Sequence, residues 1–69
     1  MSAQDTISDL EVINAPWNKT VTLQEVSYEG GMRMLRIRIK EGMRFTDLEL
    51  DTETLKHLNG SISNWLASV

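Results

Sequence analysis

His57 is the one histidine of the chain, and imidazole is the side chain most often used as base or ligand near neutral pH. No cysteine can serve it as nucleophile, and no serine stands at a fixed spacing from it. Glu53 lies one helical turn earlier, but a carboxylate and an imidazole alone do not make a catalytic set. Asp47, Glu49, Asp51 and Glu53 form the only carboxylate cluster, one at every second residue. A calcium loop counted from Asp47 would need glycine in its sixth place and glutamate in its twelfth, and the chain has Thr52 and Leu58 there. A structural zinc site fails on ligand count. Gly30-Gly31 is followed by neither a phosphate-binding lysine nor a helix, so it reads as a turn. No enzyme activity, metal or cofactor is expected from this set, and His57 is expected on a helix surface.

The basic residues are more informative. Five of the seven fall between Met32 and Arg44, in MRMLRIRIKEGMR, while the chain as a whole carries a net charge of -3. Arg36, Arg38 and Lys40 alternate with Leu35, Ile37 and Ile39, so a strand here puts the cations on one face. With Phe45 nearby and Arg44 at the end, that face has the cations and the ring that single-stranded nucleic acids are bound by. The competing reading is a central strand whose charges are paired by acidic neighbours. Tyr28, Met32, Met34 and Met43 are left without an obvious core position, and adaptable methionines beside aromatics suit a protein interface.

The elements that position these residues follow from pattern. Residues 1–9 are polar and are expected to form a disordered tail, with 10–69 a single domain. Leu10 to Ile13 suggests a short edge strand, ended by the turn at Pro16. Trp17 is expected to fold back as a lid on the core, with surface contact as its other reading. Thr20 to Tyr28 is rich in β-branched residues, and its apolar positions change phase, which a bulge near Gln24 and Glu25 would reconcile. Gly30-Gly31 supplies the positive φ of a hairpin turn into Met34 to Lys40. Glu41-Gly42-Met43 turns the chain again into Phe45 to Leu50.

Register can be read from the pairs. A loop from Glu41 to Arg44 sets Arg38 against Asp47, Arg36 against Glu49, Ile37 against Leu48 and Leu35 against Leu50. A two-residue Glu41-Gly42 loop would instead set Arg36 against Asp47 and Arg38 against Phe45, pairing less charge. On the other side, a Gly30-Gly31 turn would bring Glu25 opposite Arg36 and Val26 opposite Leu35. Asp51 or Thr52 then caps a helix with Glu53 at its positive end. Leu55, Leu58, Ile62, Trp65, Leu66 and Val69 recur at helical spacing and would lie on the inner sheet face. Gly60 is the weak point of a helix read as continuous.

The combination of APW near the amino end, LQEV, LRIRIKEGMRFTDLELD and a capped helix ending in NWLAS resembles an uncharacterised family of short bacterial proteins. That resemblance implies no activity. A fainter one, on Gly31, Leu35, Ile37, Arg38, Leu50, Leu55 and Leu58, is to the single-stranded-DNA-binding domain of the transcriptional coactivator positive cofactor four. It implies strands running into a carboxy-terminal helix, dimerisation and DNA binding. The lysine-glycine segment of that family is replaced here by Gly42-Met43-Arg44-Phe45.

The expectation is an α+β domain, an antiparallel meander of three or four strands covered on one face by a C-terminal helix. With 69 residues and no cysteine, neither disulfide nor metal supplements a small core, so a homodimer or a protein partner is expected. No secretory leader and no span of about 20 apolar residues is seen, pointing to a soluble cytoplasmic chain without membrane contact. The leading functional expectation is a non-enzymatic interaction or accessory module. Its alternative is a weak single-stranded nucleic-acid binder using Arg36, Arg38, Lys40, Arg44 and Phe45.

Overall fold

The computed structural model describes residues 5–69. Four strands, β1 (Thr6–Ala15), β2 (Lys19–Ser27), β3 (Arg33–Glu41) and β4 (Arg44–Leu50), are followed by one helix, α1 (Thr52–Ala67). They form a single antiparallel sheet in the order β1-β2-β3-β4, the α+β meander expected from the sequence. The edge strand is longer than expected. Thr6, Ile7 and Ser8 pair with Ser27, Val26 and Glu25, so the tail expected over residues 1–9 gives way to strand from Thr6. Residues 1–4 lie outside the described residues.

The β3–β4 register is the charge-paired one, with Arg36 opposite Glu49, Arg38 opposite Asp47, Ile37 opposite Leu48 and Leu35 opposite Leu50. The β2–β3 register differs from expectation by one residue: Gln24, not Glu25, faces Arg36, and Val26 faces Met34. The connection takes in all of Tyr28 to Met32, with the Tyr28 amide donating to the Met32 carbonyl at 2.8 Å. Glu25 therefore sits opposite Leu35. The expected bulge in β2 is absent too. The irregularity lies in β1, between Asp9 and Glu11, and β2 pairs continuously with β3.

Directly paired residues share a sheet face and neighbours along a strand alternate. One face thus carries Ile13, Val21, Leu23, Leu35, Ile37, Ile39, Leu48 and Leu50. The other carries Asp9, Thr22, Gln24, Val26, Met34, Arg36, Arg38, Asp47 and Glu49. The polar face is the better covered of the two. Val26, 1% exposed, and Gln24, 9% exposed, are the buried residues among those described, and both belong to it. Tyr28, Arg36 and Arg38 hydrogen-bond across that face to Glu49 and Asp47, whereas the aliphatic face opposite has no such cover. Every apolar residue named on the other face stays at least partly exposed, Leu48 to 50%.

α1 begins where the sequence places it. Asp51 is extended and accepts a hydrogen bond from the Thr54 amide at 2.9 Å, and the helix runs unbroken through Gly60. It does not cover the sheet, and here the expectation is corrected. No helix residue is buried, and the extensive packing of the strands is against neighbouring strands. The physical reason is the connector. Asp51 alone separates β4 from α1, whereas helix–strand connections usually need two to six residues to turn back. The molecule is accordingly 49 Å long, beyond the roughly 33 Å of its ten-residue strand. Its radius of gyration is 14.2 Å, against about 11 Å for a compact chain of this length.

Candidate interaction surfaces

Three surfaces contain the residues singled out by the sequence. The first is the basic strip on β3. Arg38 Nε and Nη2 donate to the two carboxylate oxygens of Asp47 at 2.8 and 3.0 Å, a bidentate pair. Arg36 donates twice to Glu49 Oε2, at 3.1 and 2.8 Å. Tyr28 reaches over β3 and donates its hydroxyl to the other Glu49 oxygen. The hydrogen bond from Tyr28, followed by that from Arg36, holds the Glu49 carboxyl below its ordinary range, and the Arg38 bond does the same for Asp47. The row continues to β1, where Gln24 donates to Asp9 at 2.7 Å. Arg36, Arg38 and Tyr28 are therefore internal cross-links of the sheet, with their bonding capacity directed at neighbours rather than at solvent. Met34 is half-buried on the same face, opposite Val26.

The second surface is the end of the sheet where the β1–β2 and β3–β4 turns lie side by side. Lys40 and Arg44, at the hairpin tip, make no ion pair among the described residues. Phe45 packs under Arg38 and Lys40, whose cationic groups are 5.2 and 5.9 Å from the ring centre. Met43 is 97% exposed on the turn. Trp17 is no lid: it is 85% exposed, with only the Lys19 ammonium over its ring at 5.9 Å. Its φ of 61° and the 63° of Asn18 are left-handed, a region that a bulky side chain enters at a cost, and that backbone carries the indole away from the sheet. Met32 is exposed in the turn at the opposite end.

The third surface was not singled out by the sequence as open: the aliphatic sheet face and the stripe on α1. Leu58, Ile62, Trp65, Leu66 and Val69 are all exposed, Trp65 to 65%. Only the first helical turn meets the sheet, where Leu55 shares an open groove with Leu10, Leu35 and Leu50. The signal for this was in the chain: a strand pattern running to Leu50 and a helix cap at Asp51 leave no residues for a reversal.

The groups considered for chemistry stay apart. His57 is exposed on α1, and no group of three or more His, Cys, Asp or Glu residues that could hold a metal occurs among the described residues. Asp51 is consumed as the helix cap and Glu53 pairs with Lys56 at 3.5 Å.

Residues 4–68 match the model of a family of unknown function, DUF6967. No curated protein and no solved structure matches the chain.

Proposed function

The chain belongs to that family, which brings no activity with it, and we propose from the geometry that it is a non-enzymatic interaction module that self-associates. One observation carries this reading. The sheet leaves a largely aliphatic face open while Arg33, Arg36 and Arg38 are tied to carboxylates of neighbouring strands. A domain whose only fully buried apolar side chain among the described residues is Val26 has little core of its own. Contiguous apolar surface on a soluble chain marks a contact with another surface. The absence of cysteine supports a reducing, cytoplasmic setting. The mass in solution at high micromolar concentration tests the reading. A dimer mass is expected, and a monomer mass overturns it.

A second reading, single-stranded nucleic-acid binding, draws on Lys40, Arg44 and Phe45 at the turn and on the sequence likeness to the domain of positive cofactor four. Arg36 and Arg38 are withdrawn from it by Glu49 and Asp47. Phosphate contacts would make such binding fall steeply with salt. Shifts of the Lys40 to Phe45 amides on titration with a mixed single-stranded oligonucleotide at low salt, lost at moderate salt, are its signature. Unmoved amides at low salt remove it.

A further inference from the structure

We infer that the helix of one copy lies on the aliphatic sheet face of a second copy, reciprocally, so that two chains complete each other's core. The inference rests on the self-association proposed above and names its geometry. Each chain presents two unpartnered apolar surfaces of complementary form: the sheet face centred on Leu23, Ile37 and Leu48, and the α1 stripe centred on Ile62 and Trp65. Within one chain they cannot meet, because Asp51 alone joins β4 to α1 and directs the helix away. Short hinges of this kind favour exchange of an element between copies.

The dimensions agree. A helix of 16 residues is about 24 Å long, and four strands side by side span about 14 Å between outer strands. One helix therefore crosses the whole face. The amount of surface agrees as well. The chain exposes 5483 Å², whereas a compact monomer of 7.9 kDa exposes about 4,400 Å², leaving about 1,100 Å² in excess. A standard interface covers about 800 Å² on each partner, so the excess is what one stable, largely apolar contact needs. Both surfaces lack charge at their centres. Of the charges on the sheet face, Glu11 lies on the edge strand, the Lys19–Glu41 pair and Arg44 lie at one end, and Glu25, beside Leu35 on β2, is paired with Arg33 towards the other end.

The test uses the full chain without substitution. Isotope-labelled and unlabelled protein are mixed, allowed to exchange, and examined by isotope-filtered NOE spectroscopy. Contacts between the copies are expected from Ile62, Trp65 and Leu66 to Leu23, Ile37 and Leu48. If the mass is that of a dimer but the contacts run only helix to helix or sheet to sheet, the exchange is overturned while self-association stands. A monomer mass overturns both. As a second measurement, Gly-Ser-Gly inserted between Leu50 and Asp51 lets the helix fold back on its own sheet, where it competes at a millimolar effective concentration. The dimer dissociation constant is then expected to rise roughly 100-fold or more. A lengthened chain that dimerises as strongly as the parent overturns the exchange.

Discussion

Tyr28 donates its hydroxyl to Glu49 across the width of β3, joining the β2–β3 turn to the fourth strand. The bond raises the Tyr28 pKa above its ordinary 10.0 and lowers that of Glu49 below its ordinary 4.5. A lowered carboxyl contributes stability that is present above its ordinary value and lost as pH falls through the folded one. A raised phenol contributes stability that is present below its ordinary value and lost as pH rises through the folded one. Glu25, Asp47 and Asp51 are lowered too, by Arg33, Arg38 and Thr54. Urea midpoints are therefore expected to be flat between 4.5 and 10.0, falling on either side. Tyr28→Phe should lower the plateau, remove the decline above 10.0 and soften the acid limb. An alkaline decline unchanged in the variant would assign it to another group.

The two arginine pairs of β3 differ in solvent access. Arg36 and Glu49 side chains are 17% and 27% exposed, Arg38 and Asp47 38% and 36%. Water weakens the second pair more, and the first also holds Tyr28. Arg36→Met is expected to lower the urea midpoint more than Arg38→Met, and added salt should narrow the deficit of Arg38→Met more. The reverse order would mean that bidentate geometry outweighs burial.

Trp17 is held left-handed without being buried. Relief of that backbone is worth about 1 kcal/mol for Trp17→Asn, since asparagine tolerates the region. Loss of the exposed Lys19 contact costs about 0.5 kcal/mol. A net gain of about 0.5 kcal/mol is expected, read as a small rise in Tm. A fall would show that the indole is covered in the assembled protein.

A Cβ added at Gly60 meets nothing within 4 Å, and the residue lies on the side of α1 away from Ile62 and Trp65. Gly60→Ala is expected to stabilise the protein by about 1 kcal/mol, because alanine gives up less backbone freedom in a helix. Helical circular dichroism at elevated temperature and the urea midpoint should both increase, with the dimer constant unchanged.

The β3–β4 register was legible because two charge pairs and two aliphatic pairs all demand the same alignment. The β2–β3 register was not. Two glycines announce a turn without fixing how many residues enter it, and Tyr28 and Met32 joined this one, sending Glu25 to the opposite face. The helix, its Asp51 cap and its stripe were all visible in the residue order. What the stripe packs against was not, because periodicity says that a surface seeks cover and says nothing about whose. For Trp17, the neighbouring proline suggested a turn, but the sign of φ at the next two residues, which decides where the ring points, has no signature in their types.

The arginine, tyrosine and carboxylate side chains spread over one face of the sheet leave it with a single adhesive side. A sheet sticky on both sides can stack without end into fibres. Under the reciprocal exchange proposed above, one face is spent on internal cross-links and the other is covered by the partner's helix, so assembly would close after two copies and the network that aligns the strands would also limit growth.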